Sequence, residues 1–142
     1  MNIVQLHTLT AGQTEDLLGL MKELNPQIKV TVQMLQDTVQ DPGTRLFAAI
    51  DPDGHIVGCA TLCISHSPTG RKGDIEDVVV NSAYRGQGLG KGLMEHVIAY
   101  ARAEWAPILL HLTSHPTRVA ANRLYQAIGF QPYPTNVYKL PI

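Results

Sequence analysis

Apolar positions along the chain switch between helical and strand spacing, and the switches lay out a fold. Ile3 to His7 reads as a short strand. From Thr10 to Leu24, Leu17, Leu18, Met21 and Leu24 recur on one helical face, with Thr10 or Thr14 as cap and Asn25-Pro26 as the stop. Thr31 to Gln40 predicts a second helix with Val32, Leu35 and Val39 inward, ended by Asp41-Pro42-Gly43. Arg45 to Ile50 and His55 to Ile64 read as a hairpin across Asp51-Pro52-Asp53-Gly54, whose residues suit a turn. Ser65 to Gly73, rich in Ser, Pro and Gly, reads as a loop. Strand Asp74 to Val80, helix Leu89 to Ala103, strand Ile108 to Thr113 and helix Thr117 to Ile128 follow. Gly129 is the expected C-cap of that helix, with further strands around Phe130 to Pro132 and Val137 to Leu140. The order β-α-α-β-β-β-α-β-α-β predicts an α/β fold of the α+β type, with helices on the faces of a mixed sheet. A hairpin between early strands excludes a parallel doubly wound sheet.

With 142 residues the chain is expected to form a single domain, 1–142, around one core. A net charge of -1 offers no broad field for nucleic acid or an anionic membrane. No apolar run approaches the length of a membrane span, and Met1 to Leu6 lacks a basic leader, so a cytoplasmic protein is expected. Cys59 and Cys63 lie four residues apart in one predicted strand, about 13 Å, too far for a disulfide. They read as core thiols, and the six histidines show no ligand spacing, so no metal is expected. His111 and His115 flank a predicted strand end and stand only as candidates for lining a pocket.

Candidate chemistry concentrates in Arg85-Gly86-Gln87-Gly88-Leu89-Gly90-Lys91, between a predicted strand and a predicted helix. Backbone N–H groups at a helix start have no intrahelical partner, and the positive end of the helix dipole lies there. Glycine removes the Cβ that would keep a phosphate from reaching them. A dinucleotide fingerprint needs glycine at Lys91. A Walker A loop needs glycine at Arg85 and a hydroxyl at Gly92.

The stretch Ile75 to Gly90 resembles the acetyl-CoA-binding segment of the GNAT superfamily of N-acetyltransferases. There an apolar strand leads into Arg or Gln, Gly, x, Gly, and Gly or Ala at a helix start. Asn122-Arg123-Leu124-Tyr125-Gln126-Ala127-Ile128-Gly129-Phe130 is similar to the family's second hallmark, Asn-x-x-Phe/Leu-Tyr-x-x-x-Gly-Phe. The close match runs from Asp74 to Phe130. The resemblance implies a GNAT-like mixed, mostly antiparallel sheet of six or seven strands flanked by about four helices.

The resemblance also implies acetyl-CoA as co-substrate. Its pyrophosphate would sit on Arg85, Gly86, Gln87, Gly88, Leu89, Gly90 and Lys91, with its pantetheine arm along the backbone of Val78, Val79 and Val80. Asn122 would lie near that arm and Tyr125 beside the sulfur, as the acid that protonates departing thiolate. A protonated amine must lose a proton before attack. Glu76 is the first candidate base, Asp77 the second, and ordered water a third. Strand alternation places Glu76 and Asp77 on opposite sheet faces.

The acceptor would be bound by the first helices, the Ser65 to Gly73 loop and the C-terminal hairpin. These offer Ser114 to Arg118 and Thr135 to Tyr138, with Arg118 suited to a carboxylate or phosphate. Ile75-Glu76-Asp77 is also similar to amino-sugar-phosphate acetyltransferases of the superfamily. The reading is acetyl transfer to a small-molecule primary amine, with a homodimer compatible. A protein lysine or N-terminal acetyltransferase, and a non-catalytic acyl-CoA-binding or interaction module, stand as alternatives.

Overall fold

The computed structural model describes all 142 residues. Strands β1 (Asn2–Leu6), β2 (Thr44–Ile50), β3 (Ile56–Ser67), β4 (Gly70–Val80) and β5 (Leu109–His111) form one sheet in the order β1-β2-β3-β4-β5. The first three pairings are antiparallel and the last is parallel. Four helices cover the sheet: α1 (Ala11–Leu24), α2 (Val32–Gln40), α3 (Leu89–Glu104) and α4 (Val119–Ala127).

Local chemistry fixes the helix starts. Thr10 Oγ1 accepts from Gln13 N at 3.1 Å while Gln13 Oε1 accepts from Thr10 N at 3.0 Å, a reciprocal cap on α1. Thr31 Oγ1 accepts from Met34 N at 3.2 Å and caps α2. The innermost residues of α1 are Leu17 and Leu20, with Leu18, Met21 and Leu24 half-buried beside them. In α2 Leu35 is buried, but Val32, at the first helical position, stays exposed rather than pointing inward.

Alternation along the strands divides the apolar residues between two cores. Leu46 and Ala48 of β2 face α1 and α2, together with Leu6, Leu17, Leu20 and Leu35. Phe47 and Ala49 face the other way, with Leu93, Met94 and Val97 of α3 and Tyr125 of α4. Strand β4 departs from this rule. Ile75 packs in the α3/α4 core and Val79 in the α1/α2 core, although residues four apart share a face in a regular strand. The β3–β4 register shifts between Cys59 and Thr61, and Asp77 takes φ 51°, the left-handed region. This bulge flips the strand and leaves both Glu76 and Asp77 exposed, so the expected separation of the two carboxylates onto opposite faces fails.

Two further expectations are corrected. Ser65 to Gly73 is not a loop: the β3–β4 hairpin stays paired out to Ser67 and Gly70, with Pro68-Thr69 as the turn. Gly70 supplies φ 119°, and Lys72 Nζ reaches the Ser67 and Thr69 hydroxyls at 2.7 Å each. The polar composition fits a hairpin tip that projects into solvent beyond both cores. The segments around Phe130 to Pro132 and Val137 to Leu140 form no strands, so the sheet has five strands rather than six or seven. Pro132, Pro134 and Pro141 lack the N–H a ladder needs.

Gly73 is buried where β4 pairs with β5. A Cβ there would meet Leu110 Cδ2 at 2.8 Å, Leu62 Cδ1 at 3.0 Å and Ile108 Cδ1 at 3.1 Å. Gly73→Ala is expected to destabilise by about 1–3 kcal/mol through overpacking, read as a lower urea midpoint with unchanged m-value.

Candidate active site

Pairing of β4 with β5 covers only Lys72, Gly73 and Asp74, against Leu109, Leu110 and His111. Beyond Asp74 the two strands part. From there to Val80 the edge of β4 facing β5 carries no ladder, and a cleft of about 750 Å³ opens, a size typical of small-ligand sites. Val78, Val79 and Val80 line one wall, and Leu124 and Tyr125 of α4 line another. The bulge at Asp77 aims this wall, turning Val78 and Val80 toward the α3/α4 core and Val79 away from it.

The glycine loop closes one end. Gly88, at the N-cap of α3, has φ 79°, and Gly86 has φ 80°. A Cβ at either position would meet nothing within 4 Å, and both residues line the cleft, so the space beside them belongs to the cleft. The free N–H groups of the first α3 turn begin at Leu89, Gly90 and Lys91, all three on the cleft wall. Thr117, Arg118 and Val119, at the start of α4, line it too. Two helix N-termini therefore border one cleft, and Arg85, Lys91 and Arg118 outnumber Glu23 among its charged residues. The potential favours an anion.

A short turn, Ser82–Tyr84, holds the near end of the loop. Glu23 Oε1 of α1 accepts from Ser82 N at 3.2 Å, and Tyr84 donates its hydroxyl to Asp51 Oδ2 at 3.0 Å. Asp51 is buried and also accepts from the N–H groups of Asp53 and His55 at 2.9 Å each. The bond from His55 N leads in holding the Asp51 carboxyl below the ordinary carboxylate range, and the bond to Asp51 raises the Tyr84 phenol. Arg85 Nε donates to Val80 O at 3.2 Å, tying the loop back to β4. Sequence reasoning assigned no role to Tyr84, Asp51 or Glu23. Tyr84 stands inside the glycine-loop motif, but its partner is 33 residues away in sequence, beyond any local signal.

Val78, Val79, Val80, Arg85, Gly86, Gly88, Leu89, Gly90, Lys91 and Tyr125 thus meet around one cleft, while Gln87, Asn122, Glu76 and Asp77 do not line it. Asn122 donates Nδ2 to His115 O at 3.1 Å, bracing the turn that carries Thr117 and Arg118 to the cleft. His111 and His115 are not on its walls either. His115 instead pairs Nδ1 with Thr117 Oγ1 at 2.7 Å. Glu76 lies on β4 just before the bulge. Partial burial raises its carboxyl above the ordinary value, and the charges of Asp77 and Asp74 push the same way. Tyr125 is 6% exposed, its ring edge-on to Phe130 at 6.4 Å between centroids. Both cysteines are free; burial pushes the Cys59 thiol up to about 12, and Cys63 is raised as well. No group of His, Cys, Asp and Glu side chains is placed to hold a metal ion, and no helix is long and apolar enough to cross a membrane.

Comparison with known proteins places these features in company. A family model described as acetyltransferase (GNAT) family matches residues 13–130. Over 94 residues the chain is 39% identical to a glucosamine 6-phosphate N-acetyltransferase of Trypanosoma brucei brucei, covering 63% of this chain and 63% of that protein. Over 93 residues it is 34% identical to a streptothricin acetyltransferase of Streptomyces lavendulae, covering 64% of this chain and 47% of that one. The matched part thus spans less than two thirds of either relative. Among solved structures, a putative acetyltransferase from Agrobacterium tumefaciens str. C58 superposes with a TM-score of 0.85 at 25% identity, covering 99% of this chain and 100% of that one.

Proposed function

The chain belongs to the acetyltransferase (GNAT) family, and on that premise we propose that it works as one domain, moving an acetyl group from acetyl-CoA to a primary amine of a small molecule. The observation that carries this reading is the cleft between the parted β4 and β5, with a glycine-rich helix start at one end and Tyr125 on its wall. The edge of β4 at Val78 to Val80 that β5 leaves uncovered suits an amide-bearing arm, which would lie along it as an added strand does. Gly86 to Lys91 suit a pyrophosphate, with Arg85 and Lys91 as counter-charges. Asn122 acts through the start of α4, which its bond to His115 O braces against the cleft.

In this reading the amine nitrogen attacks the thioester carbonyl carbon, the C–N bond forms and the C–S bond breaks. Glu76 takes the amine proton, directly or through a water molecule it holds, and its raised pKa strengthens it as a proton acceptor. Asp77 holds the bulge that presents Glu76 and adds to its proton affinity. Tyr125 gives its hydroxyl proton to the departing thiolate. Direct attack fits the inertness of Cys59 and Cys63, whose raised pKa values make both poor nucleophiles.

Relatives named for glucosamine 6-phosphate and streptothricin support a small amine as acceptor. Thiol release from acetyl-CoA, measured with a panel of amino sugars, amino-sugar phosphates and polyamines beside lysine peptides, tests the proposal. Turnover with a small amine is expected. Release with peptides only would move the reading to protein acetylation, and tight acetyl-CoA binding without any release to a binding module.

Glu76→Gln tests the base. In the wild type kcat/KM is expected to rise with pH through the raised pKa of Glu76, because only its ionised form accepts a proton. Its acid limb therefore lies at higher pH than that of an ordinary carboxylate. In Glu76→Gln that limb should vanish, with kcat down by about 10²-fold at neutral pH and partly regained as pH nears the amine's own pKa. A higher acceptor KM with kcat kept would make Glu76 a binding carboxylate only.

A further inference from the structure

The glycine loop has little of its own to hold its shape. No backbone N–H from Gly86 to Lys91 has a protein acceptor, and Gly86 and Gly88 both sit at positive φ, where glycine brings the largest backbone freedom of any residue. That freedom is lost when such a loop closes on a ligand, unless the loop is fixed beforehand. Three bonds hold the chain just ahead of it. Asn81 N donates to Val57 O at 2.8 Å, Ser82 N to Glu23 Oε1 at 3.2 Å, and the Tyr84 hydroxyl to Asp51 Oδ2 at 3.0 Å. Tyr84 directly precedes Arg85, so its tether is the one nearest the loop. The Arg85 side chain only folds back on Val80 O and adds no anchor from another element.

We infer that Asp51, acting through Tyr84, is a positioning residue that fixes the glycine loop in its acetyl-CoA-binding shape; the ligand rests on the function proposed above, the anchor does not. Asp51 divides its two oxygens. Oδ1 accepts from Asp53 N and His55 N at 2.9 Å each, which is all that a turn of this kind asks of an aspartate. Oδ2 takes no part in the turn and accepts from Tyr84 alone.

A turn alone explains neither the burial of this carboxylate nor its reach. Asp51 is 8% exposed, and a carboxylate withdrawn from water costs stability unless its oxygens are matched. An asparagine would close the same turn without burying a charge. The carboxylate instead spans from the β2–β3 turn to a residue 33 positions later, and that residue lines the cleft. With the bond from His55 N leading, the Asp51 carboxyl is held below the ordinary range and is charged at neutral pH. A charged acceptor makes the stronger hydrogen bond. The Tyr84 ring is half-buried against the α3/α4 core, so packing holds the ring and Asp51 holds its hydroxyl.

The test compares Tyr84→Phe, which keeps the packed ring, with Asp51→Ser, whose short hydroxyl still serves the turn but falls short of Tyr84, and with the double variant. Calorimetry with acetyl-CoA is expected to give a Kd raised at least about fivefold by either change, and no further in the double variant, because two residues acting as one unit are not additive. At saturating acetyl-CoA kcat should stay within about twofold of wild type, since neither side chain meets a reacting atom. In the unliganded protein the amides of Tyr84, bonded to Asn81 O, and Gly92, bonded to Gly88 O, should exchange faster in Tyr84→Phe while those of β2 and β3 keep their rates. Unchanged exchange at those two amides overturns the inference whatever the ligand. Effects on Kd that multiply in the double variant, or a fall in kcat with Kd kept, overturn it too. Faster exchange in a protein whose wild type does not bind acetyl-CoA would support the anchor and overturn the acetyl-CoA reading instead.

Discussion

Removing the hydroxyl of Tyr125 while keeping its ring, Tyr125→Phe, is expected to lower kcat by about 10²-fold, the usual scale for one general acid. The ring is what the fold uses. It sits at 6% exposure in the α3/α4 core, edge-on to Phe130, and phenylalanine repeats those contacts. Thermal stability should therefore hardly change. The KM for acetyl-CoA should stay close to wild type, because an interaction made only as the thiolate departs does not contribute to ground-state binding. Steady-state kinetics with a good acceptor, with pre-steady-state thiol release to isolate chemistry from product release, gives the answer. If kcat stays within about threefold, thiolate is protonated by another group and Tyr125 is a core residue that happens to border the cleft.

Gly88→Ala is expected to raise the Kd for acetyl-CoA by at least about tenfold, roughly 1.4 kcal/mol or more. Two effects add. Gly88 has φ 79°, and alanine in the left-handed region is disfavoured by about 1–2 kcal/mol, which distorts the loop or frays the first turn of α3. A Cβ at Gly88 also enters cleft space that no protein atom occupies, where a phosphate would have to approach the N–H groups. Gly90→Ala is the control. Its Cβ would meet Leu124 Cδ2 at 3.5 Å, ordinary contact, and Gly90 has no positive φ to lose. Calorimetry should give a weak effect for Gly90→Ala and a large one for Gly88→Ala. Equal and small effects in folded variants would mean that the phosphates bind away from this loop.

Much of this arrangement was legible from the chain because its signals are local. A cap such as Thr10 with Gln13, an apolar repeat such as that of α1, and a Gly-x-Gly-x-Gly run at a helix start each depend on residues a few positions apart. Backbone geometry converts such spacings directly into structure. The element order to Ile128 followed from those signals, apart from the paired strand and turn at Ser65 to Gly73. The family motifs lie in the same stretch.

What escaped the sequence depends on partners distant in it. Polar composition made Ser65 to Gly73 look like a loop, but a strand needs only a paired neighbour, and β3 supplies one out to Ser67. Alternation placed Glu76 and Asp77 on opposite faces until the register slip against Cys59 and Thr61 inserted a bulge and exposed both. Tyr84 acquires its part through Asp51 and Ser82 through Glu23, contacts that span 33 and 59 residues. The last segments show the converse. Val137 to Leu140 has the composition of a strand, yet pairing is a property of two segments, and within one chain it finds no second. Local spacing thus fixed the helices, most of the strands and the glycine run at the start of α3. Tertiary packing decided where β4 bends, where it parts from β5, and so which of those residues share a cleft.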